Sequence, residues 1–109
     1  MKFCRLTFTI DDSILGEKII SALLDRHWIA CAQVTGPIMS HYHWQGTREK
    51  TPEWKFDLKT TLVAQESVIA FILEQHSYDV PEILAEEIES VNPDFSRWIT
   101  EECRGFIKD

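Results

Sequence analysis

Two histidines separated by one residue, His41 and His43, are the clearest candidates for chemistry in this sequence of 109 residues. The segment from 38 to 44 alternates as a β-strand does, so both imidazoles are expected on one strand face. Their Cα atoms would then lie roughly 7 Å apart, close enough for both rings to reach one metal ion, and Met39 shares that face. Imidazole nitrogens suit copper, nickel or zinc. The alternative is a pair of solvated side chains, because the sequence specifies no third ligand.

The other reactive side chains belong to three cysteines, Cys4, Cys31 and Cys103. Their number is odd and no CxxC spacing occurs, so neither a disulfide framework nor a zinc knuckle is indicated. Cys4 and Cys103 fall on apolar stripes and Cys31 lies between alanines, so all three are interpreted as packed, reduced thiols. The sequence has no nucleophile elbow and no glycine-rich phosphate loop. These features predict a protein that is not an enzyme.

The charge balance restricts the possible partners. Eleven Lys and Arg residues against eighteen Asp and Glu give a formal charge of −7, so a nucleic acid partner is not expected. Apolar stretches are far shorter than the roughly 18 residues that cross a membrane, and the first residues lack a signal-peptide pattern. A cytoplasmic location without a membrane partner is therefore expected. The few cations cluster at Arg48, Lys50, Lys55 and Lys59, where an anionic small molecule would bind.

The elements that must position these residues form one predicted α+β domain, residues 1–109. Strands are predicted over 3–10, 30–46, 53–60 and 83–89, and helices over 13–28, 64–76 and from Asn92 to Cys103. The polar segment through Lys50 and Pro52 is expected to be the turn between the second and third strands. This β-α-β-β-α-β order predicts a ferredoxin-like sandwich, with two helices on one face of a four-stranded antiparallel sheet, followed by a C-terminal helix.

The second predicted strand is too long for a compact domain. Residues 30–46 would span roughly 55 Å when extended, whereas a domain of this size has a radius of gyration of about 13 Å. The hairpin must therefore bend at Gly36-Pro37 or project from the sheet. A projecting ribbon would expose Tyr42, Trp44 and Trp54 together with unpaired strand edges, so we expect an oligomerisation arm with these rings in the interface.

Five short motifs occur in an order and at spacings that resemble one known family, the divalent-cation tolerance (CutA) proteins. They are Ala30-Cys31-Ala32-x-Val34, Tyr42-x-Trp44-x-Gly46, Lys59-Thr60-Thr61, His76-x-Tyr78-x-x-Pro81-Glu82, and Asp94-Phe95 leading to Trp98. The resemblance covers nearly the whole chain. It implies a homotrimer built through the extended hairpin, with an architecture similar to the PII signalling proteins. It also implies association with copper and other divalent cations, with no required cofactor and no established reaction.

The resemblance also suggests two sets of site residues. Some family members carry a cysteine near the end of the first strand and a His-His pair after the second helix, taken as copper ligands; this sequence has Phe8 and Gln75-His76 there. His76 is therefore a further candidate metal ligand beside His41 and His43, unless it only serves the end of a helix. The family motif further implies a cleft between subunits that is lined by Lys59, His76, Tyr78 and Glu82.

Three functions remain open at this point. The first is a non-enzymatic trimer of the divalent-cation tolerance type that binds a divalent metal weakly. The alternative is a PII-like signalling sensor that holds an anionic metabolite in the cleft, with Lys59 and His76 as donors. A third possibility is acid–base catalysis by the same cleft residues. Titrations with a metal and with a nucleotide would separate the first two functions.

Overall fold

A computed structural model describes residues 2–106, and Met1 and residues 107–109 lie outside the described part. The elements follow the predicted order. They are β1 (Phe3–Ile10), α1 (Ser13–Asp25), β2 (Cys31–Trp44), β3 (Thr47–Thr61), α2 (Gln65–Gln75), β4 (Ile83–Ile88) and α3 (Pro93–Glu102). Short 3-10 turns cover Leu62–Ala64 and Arg104–Phe106. The predicted domain, residues 1–109, therefore extends beyond the described part at both ends.

The four strands form one antiparallel sheet in the order β2-β3-β1-β4. This order confirms the predicted ferredoxin-like architecture. Strand β1 is central, because β3 pairs with its whole length and β4 pairs with Phe3 to Phe8. Its alternate residues face the helices and are fully buried, as the period of two predicted: Cys4, Leu6, Phe8 and Ile10.

Helices α1 and α2 cover the sheet face that carries Phe8 and Phe56. The two phenyl rings are stacked, with their centroids 4.9 Å apart. Helix α1 approaches the sheet closely because Gly16 has no side chain: an added Cβ would lie 2.4 Å from the Phe56 ring. Asp12 caps the start of α1, where its carboxylate accepts from two backbone N–H groups of the first turn.

Helix α1 ends at Asp25, before the predicted end at residue 28. The backbone of His27 has a φ of 56°, in the left-handed region. The N–H of His27 donates to the carbonyl of Leu24 and the N–H of Trp28 donates to that of Leu23, at 3.0 and 3.1 Å. These bonds are a Schellman motif, which ends the helix and turns the chain towards β2. Because the spacing of apolar residues stays helical up to Trp28, the sequence pattern could not show that the helix ends at Asp25.

The β2–β3 hairpin extends beyond β1 as an arm, defined here as residues 38–53. The described chain measures 50 × 27 × 21 Å, an elongation that fits the predicted projecting ribbon. The pairing of β2 with β3 changes register between Thr35 and Ile38, at the predicted bend around Gly36-Pro37. The indole of Trp54 packs so tightly here that a Cβ on Gly36 would lie 2.4 Å from it. The bend therefore depends on a residue without a side chain.

The turn at the tip of the arm is shorter than predicted. Gln45 and Gly46 both have positive φ angles, 50° and 80°, which form a two-residue type I′ turn. Strand β3 therefore begins at Thr47, and Lys50 and Pro52 lie in the strand instead of the turn. The strand tolerates Pro52 because only β2 lies beside β3 at that point.

Helix α3 is fixed at its start and along its inner face. The Asn92 side chain accepts from the backbone N–H of Asp94, and proline occupies the first turn, as predicted. Ile99 and Cys103 pack in a small cluster with Phe3, Ala30 and Ile88. Within residues 2–106, no helix has the length and apolar character needed to cross a membrane.

Candidate functional site

The arm presents two chemically different faces, because neighbouring residues of a strand point to opposite sides. The aromatic face carries Tyr42, Trp44, Thr51 and Glu53, and the Tyr42 and Thr51 hydroxyls lie 2.9 Å apart. The histidine face carries two cross-strand pairs, His41 with Lys50 and His43 with Arg48. Because the turn is only two residues long, Lys50 and Arg48 belong to β3 and lie beside the predicted metal ligands.

The histidine face combines neutral imidazoles with positive charge. Directly opposed Cβ atoms of an antiparallel pair lie about 5 Å apart, so each imidazole has a cationic side chain as its neighbour. His41 and His43 are exposed, as are their partners Arg48 and Lys50. In the described part of the chain, no three His, Cys, Asp or Glu side chains are placed to hold a metal ion together. The histidine face thus offers two imidazoles without a third His, Cys, Asp or Glu ligand among the described residues, and the adjacent cations oppose the approach of a divalent ion.

His76 follows the end of α2, and its ring is buried and turned towards β1. Its Nε2 donates to the backbone carbonyl of Thr9 at 2.8 Å, and its Nδ1 accepts from the backbone N–H of Tyr78 at 3.0 Å. This is the neutral ring with its proton on Nε2, and both nitrogens are occupied. His76, a predicted metal ligand, thus has no free nitrogen in the described chain, and its ring joins the α2–β4 loop to β1.

The family-type copper position is occupied by a packed aromatic pair. The Phe8 and His76 rings meet edge to face, with centroids 6.1 Å apart and planes at 79°. Two of the three positions that carry candidate ligands in the family pattern, Phe8 and His76, are thus neighbours in space. In this chain one position offers a phenyl ring and the other an imidazole with both nitrogens bonded. The described structure therefore does not assemble that ligand set.

Tyr78 connects the α2–β4 loop to the base of the arm. Its hydroxyl donates to Oε2 of Glu53 at 2.8 Å, and its ring packs at an angle against His76, with centroids 4.7 Å apart. Burial raises the pKa of Tyr78 well above its ordinary value, and the carboxylate of Glu53 raises it further. The phenol therefore stays protonated at neutral pH and remains a donor to Glu53.

Glu53 is a site residue that the sequence did not indicate. In the alternating segment that begins with Glu53 and Trp54, a carboxylate is expected to face water. Instead only 6% of Glu53 is exposed. The cause is the contact with Tyr78, 25 positions away, which depends on how the α2–β4 loop folds over the sheet. No local pattern contains that information.

The chain brings three of the four predicted cleft residues near one another. Tyr78 and Glu82 line a groove between the aromatic face and the α2–β4 loop, and His76 packs against Tyr78. Lys59 lies near the opposite end of β3, where its ammonium donates to the side-chain oxygen of Gln33. A cleft that includes Lys59 together with the other three would therefore need a second subunit.

The predicted interface aromatics differ in their exposure. Tyr42 and Trp44 are 41% and 39% exposed, and Met39 on the histidine face is 50% exposed. Trp54 is half-buried, because it packs against the main core and against Gly36. In a single chain the arm therefore leaves apolar surface that another subunit could cover.

The cysteines are packed side chains. Cys4 and Cys103 are buried, as predicted, whereas Cys31 is partly exposed. Burial raises the pKa of both buried thiols, which lowers the fraction of the reactive thiolate. The Sγ atom of Cys103 lies 3.5 Å from the hydroxyl oxygen of Thr60. None of these surroundings activates a nucleophile.

Comparisons with known proteins agree with this architecture. Residues 4–102 match the sequence model of the CutA1 divalent ion tolerance protein family. A divalent-cation tolerance protein CutA from Pyrococcus horikoshii is 34% identical over 96 residues, which cover 88% of this chain and 93% of that protein. One from Pectobacterium atrosepticum is 25% identical over 96 residues, covering 88% of this chain and 87% of that protein.

Solved structures show the same similarity in three dimensions. The divalent ion tolerance protein CutA1 of Ehrlichia chaffeensis superposes with a TM-score of 0.89 at 28% identity, covering 94% of this chain and 97% of that one. The periplasmic divalent cation tolerance protein CutA of Archaeoglobus fulgidus gives a TM-score of 0.88 at 29% identity, covering 93% and 98%. The similarity thus extends over nearly the whole fold.

Proposed function

Because the chain belongs to the CutA1 divalent ion tolerance family, we propose that it acts in divalent-cation tolerance as a non-enzymatic homotrimer. The observation that carries this proposal is the family match over residues 4–102, together with the fold that CutA structures share with this chain. The family is named for tolerance and not for a reaction. The buried, unactivated state of Cys4 and Cys103 is in keeping with a protein that does no nucleophilic chemistry.

The homotrimer is supported by the surface of the arm. Tyr42, Trp44 and Met39 expose apolar area along it, and Leu84 exposes more on the edge strand β4. Exposed apolar area next to free strand edges is typical of surfaces that pair with another chain. We further propose a cytoplasmic location, because unpaired cysteines are typical of a reducing compartment.

Direct metal binding is proposed at the histidine face. His41 and His43 offer two exposed imidazoles, and Cu²⁺ is bound most tightly by such nitrogen ligands among the common divalent ions. The affinity should be low, because water must fill the other coordination positions and Lys50 and Arg48 oppose the ion. Binding should also weaken in acid, because a metal ion binds the neutral form of imidazole and must displace protons to do so.

A calorimetric titration with Cu²⁺ tests this assignment on the native oligomer. The variant His41→Ala/His43→Ala should lose the binding heat of the parent protein. His76→Gln should leave the heat unchanged, because that ring has no free nitrogen, and its expected effect is on thermal stability instead. Loss of copper binding in His76→Gln with a retained fold, or full binding in the double variant, would contradict the assignment.

One observation supports the alternative function, a sensor of an anionic metabolite. Arg48 and Lys50 lie beside His43 and His41, and this exposed cationic face would attract an anionic metabolite. A cleft with Lys59 as a donor would require Lys59 of one subunit to approach the groove of another. Titration of the native oligomer with a nucleoside triphosphate decides: saturable binding that Arg48→Gln/Lys50→Gln abolishes, without copper binding, would favour a PII-like sensor over the metal-binding function.

A further inference from the structure

The segment Arg104–Phe106, which follows α3, folds back over the end of α1 and is called the strap here. The N–H of Gly105 donates to the carbonyl of His27 at 3.0 Å. The backbone approaches so closely that a Cβ on Gly105 would lie 2.7 Å from the Trp28 ring. The Phe106 ring packs against the same indole, with centroids 5.1 Å apart. The strap therefore sits directly on the turn between α1 and β2.

His27 holds the strap through its ring as well as its backbone. Nδ1 of His27 lies 3.0 Å from the backbone carbonyl oxygen of Glu102, and Nε2 lies 3.0 Å from a guanidinium nitrogen of Arg104. A carbonyl only accepts and a guanidinium only donates, so these two partners determine where the ring carries its proton. The proton is on Nδ1, and Nε2 accepts from Arg104 through its lone pair. The contact with the strap therefore requires the neutral form of His27.

Protonation of His27 opposes this contact, because it removes the lone pair of Nε2 and leaves two cations 3.0 Å apart. Three other charged groups lie near the ring. Oε2 of Glu102 is 4.0 Å from Nδ1, and Asp25 and Arg26 precede His27 in the chain. All three belong to segments other than the strap, so they act on His27 whether or not the strap is docked. Only Arg104 leaves with the strap, and linkage therefore favours the undocked strap when His27 is protonated.

We propose that His27 and Arg104 form a pH-sensitive latch, which holds the strap on Trp28 at neutral pH and releases it in acid. Histidine is the side chain that ordinarily changes its charge in this range. Two unit charges about 3 Å apart in water repel each other enough to change an equilibrium about tenfold. Protonation of His27 should therefore raise the equilibrium constant for strap opening about tenfold. Opening uncovers the side of the Trp28 ring that Phe106 covers, while Arg26 still stacks over the same indole.

Hydrogen exchange of the Gly105 amide, followed by NMR on the native protein without added metal, tests this latch. Its protection, corrected at each pH for the exchange rate of an unstructured peptide, should fall severalfold, up to about tenfold, when the pH is lowered from about 7.5 to about 5.5. Arg104→Gln supplies an amide that donates to the neutral ring or accepts from the charged one, so its protection should not depend on pH. Arg97→Gln is the matched control, because it removes an exposed cation of α3 and should keep the pH dependence of the parent.

Four results would overturn the proposal. Two are protection of Gly105 that stays constant over this range and protection that increases in acid, as expected if the Glu102 carboxylate controls the ring. The third is the parent's pH dependence in Arg104→Gln, which would show that another group titrates. The fourth is an equal loss of protection at the amide of Leu6 in the core, which would indicate that the whole chain opens. Copper titration of Arg104→Gln should match the parent, because the arm lies at the other end of β2, so this proposal and the proposed function can fail separately.

Discussion

Replacing both cations of the histidine face should strengthen copper binding. In Arg48→Gln/Lys50→Gln each imidazole keeps its position but loses the positive charge across the strand pair. Both side chains are exposed and neither has an ion-pair partner among the described residues, so the fold should tolerate the change. The experiment therefore isolates electrostatic repulsion from ligand loss.

The expected magnitude follows from the cross-strand geometry. The paired Cβ atoms lie about 5 Å apart, and the flexible side chains let their charges withdraw to roughly 7 Å from a bound ion. Coulomb's law in water then gives about 1.2 kcal/mol of repulsion between a divalent ion and each cation. Screening at physiological ionic strength, with a Debye length of about 8 Å, reduces the combined effect to about 1 kcal/mol. The copper affinity should therefore rise roughly fivefold.

Calorimetric titration at low and at high salt measures this effect. The gain in affinity should shrink as salt increases, because the charges are exposed to solvent. Lys59→Gln is the matched control: it removes one positive charge near the far end of β3, roughly 30 Å from Lys50 along the strand, and should leave copper binding unchanged. Unchanged or weaker copper binding in the double variant would refute the reasoning that places the metal on this face.

Three further predictions concern stability and reactivity. Tyr78→Phe should lower the free energy of unfolding at pH 7 by about 1–2 kcal/mol in denaturant titrations, because it leaves a buried carboxylate without its donor. Since folding raises the pKa of Tyr78, its stabilisation is complete below about pH 10 and is lost as the pH rises above that value, so the parent should lose more stability there than the variant; equal losses would contradict this. Gly16→Ala should cost about 1–3 kcal/mol in the same assay because its Cβ would overlap Phe56, and a neutral effect would show that α1 can shift. A thiol reagent should label Cys31 faster than the two buried cysteines in the native protein, and rapid labelling of all three would show that the assigned packing is wrong.

The order of elements could be predicted because the dominant signals are local. The alternation from Cys4 to Ile10 shows which side of β1 is buried, and the length of the segment around Gly36-Pro37 shows that the hairpin bends and projects. These patterns depend on side-chain period and chain reach, which any folded arrangement must obey. The ferredoxin-like architecture and the arm were therefore accessible without coordinates.

The ends of elements were less accessible where one backbone angle decides them. The left-handed conformation of His27 ends α1, although the helical spacing of apolar residues continues beyond that point. At the tip of the arm, the polar residues after Gly46 suggested a long turn, whereas Gln45 and Gly46 alone make it. Strand β3 therefore begins six residues earlier than predicted. This error hid the register of the arm, and with it the positions of Arg48 and Lys50 opposite the histidines.

The candidate site was predicted only in part because its decisive contacts join distant segments. His76 was a candidate ligand because of the family resemblance, but the carbonyl of Thr9, 67 positions away, accepts its ring proton. Glu53 escaped notice because its partner lies in another loop. Lys59 was grouped with these residues by the family motif, and within one chain β3 carries it to the other end of the strand. Spacing along a sequence cannot supply such distances.

Electron paramagnetic resonance of the native protein with one equivalent of Cu²⁺ tests the central claim, direct divalent-metal binding by the histidine face, most directly. A spectrum with hyperfine coupling to imidazole nitrogen is expected at neutral pH, and it should revert to that of weakly bound aqueous copper in His41→Ala/His43→Ala. A parent spectrum without nitrogen coupling, or nitrogen coupling that persists in the double variant, would contradict the claim.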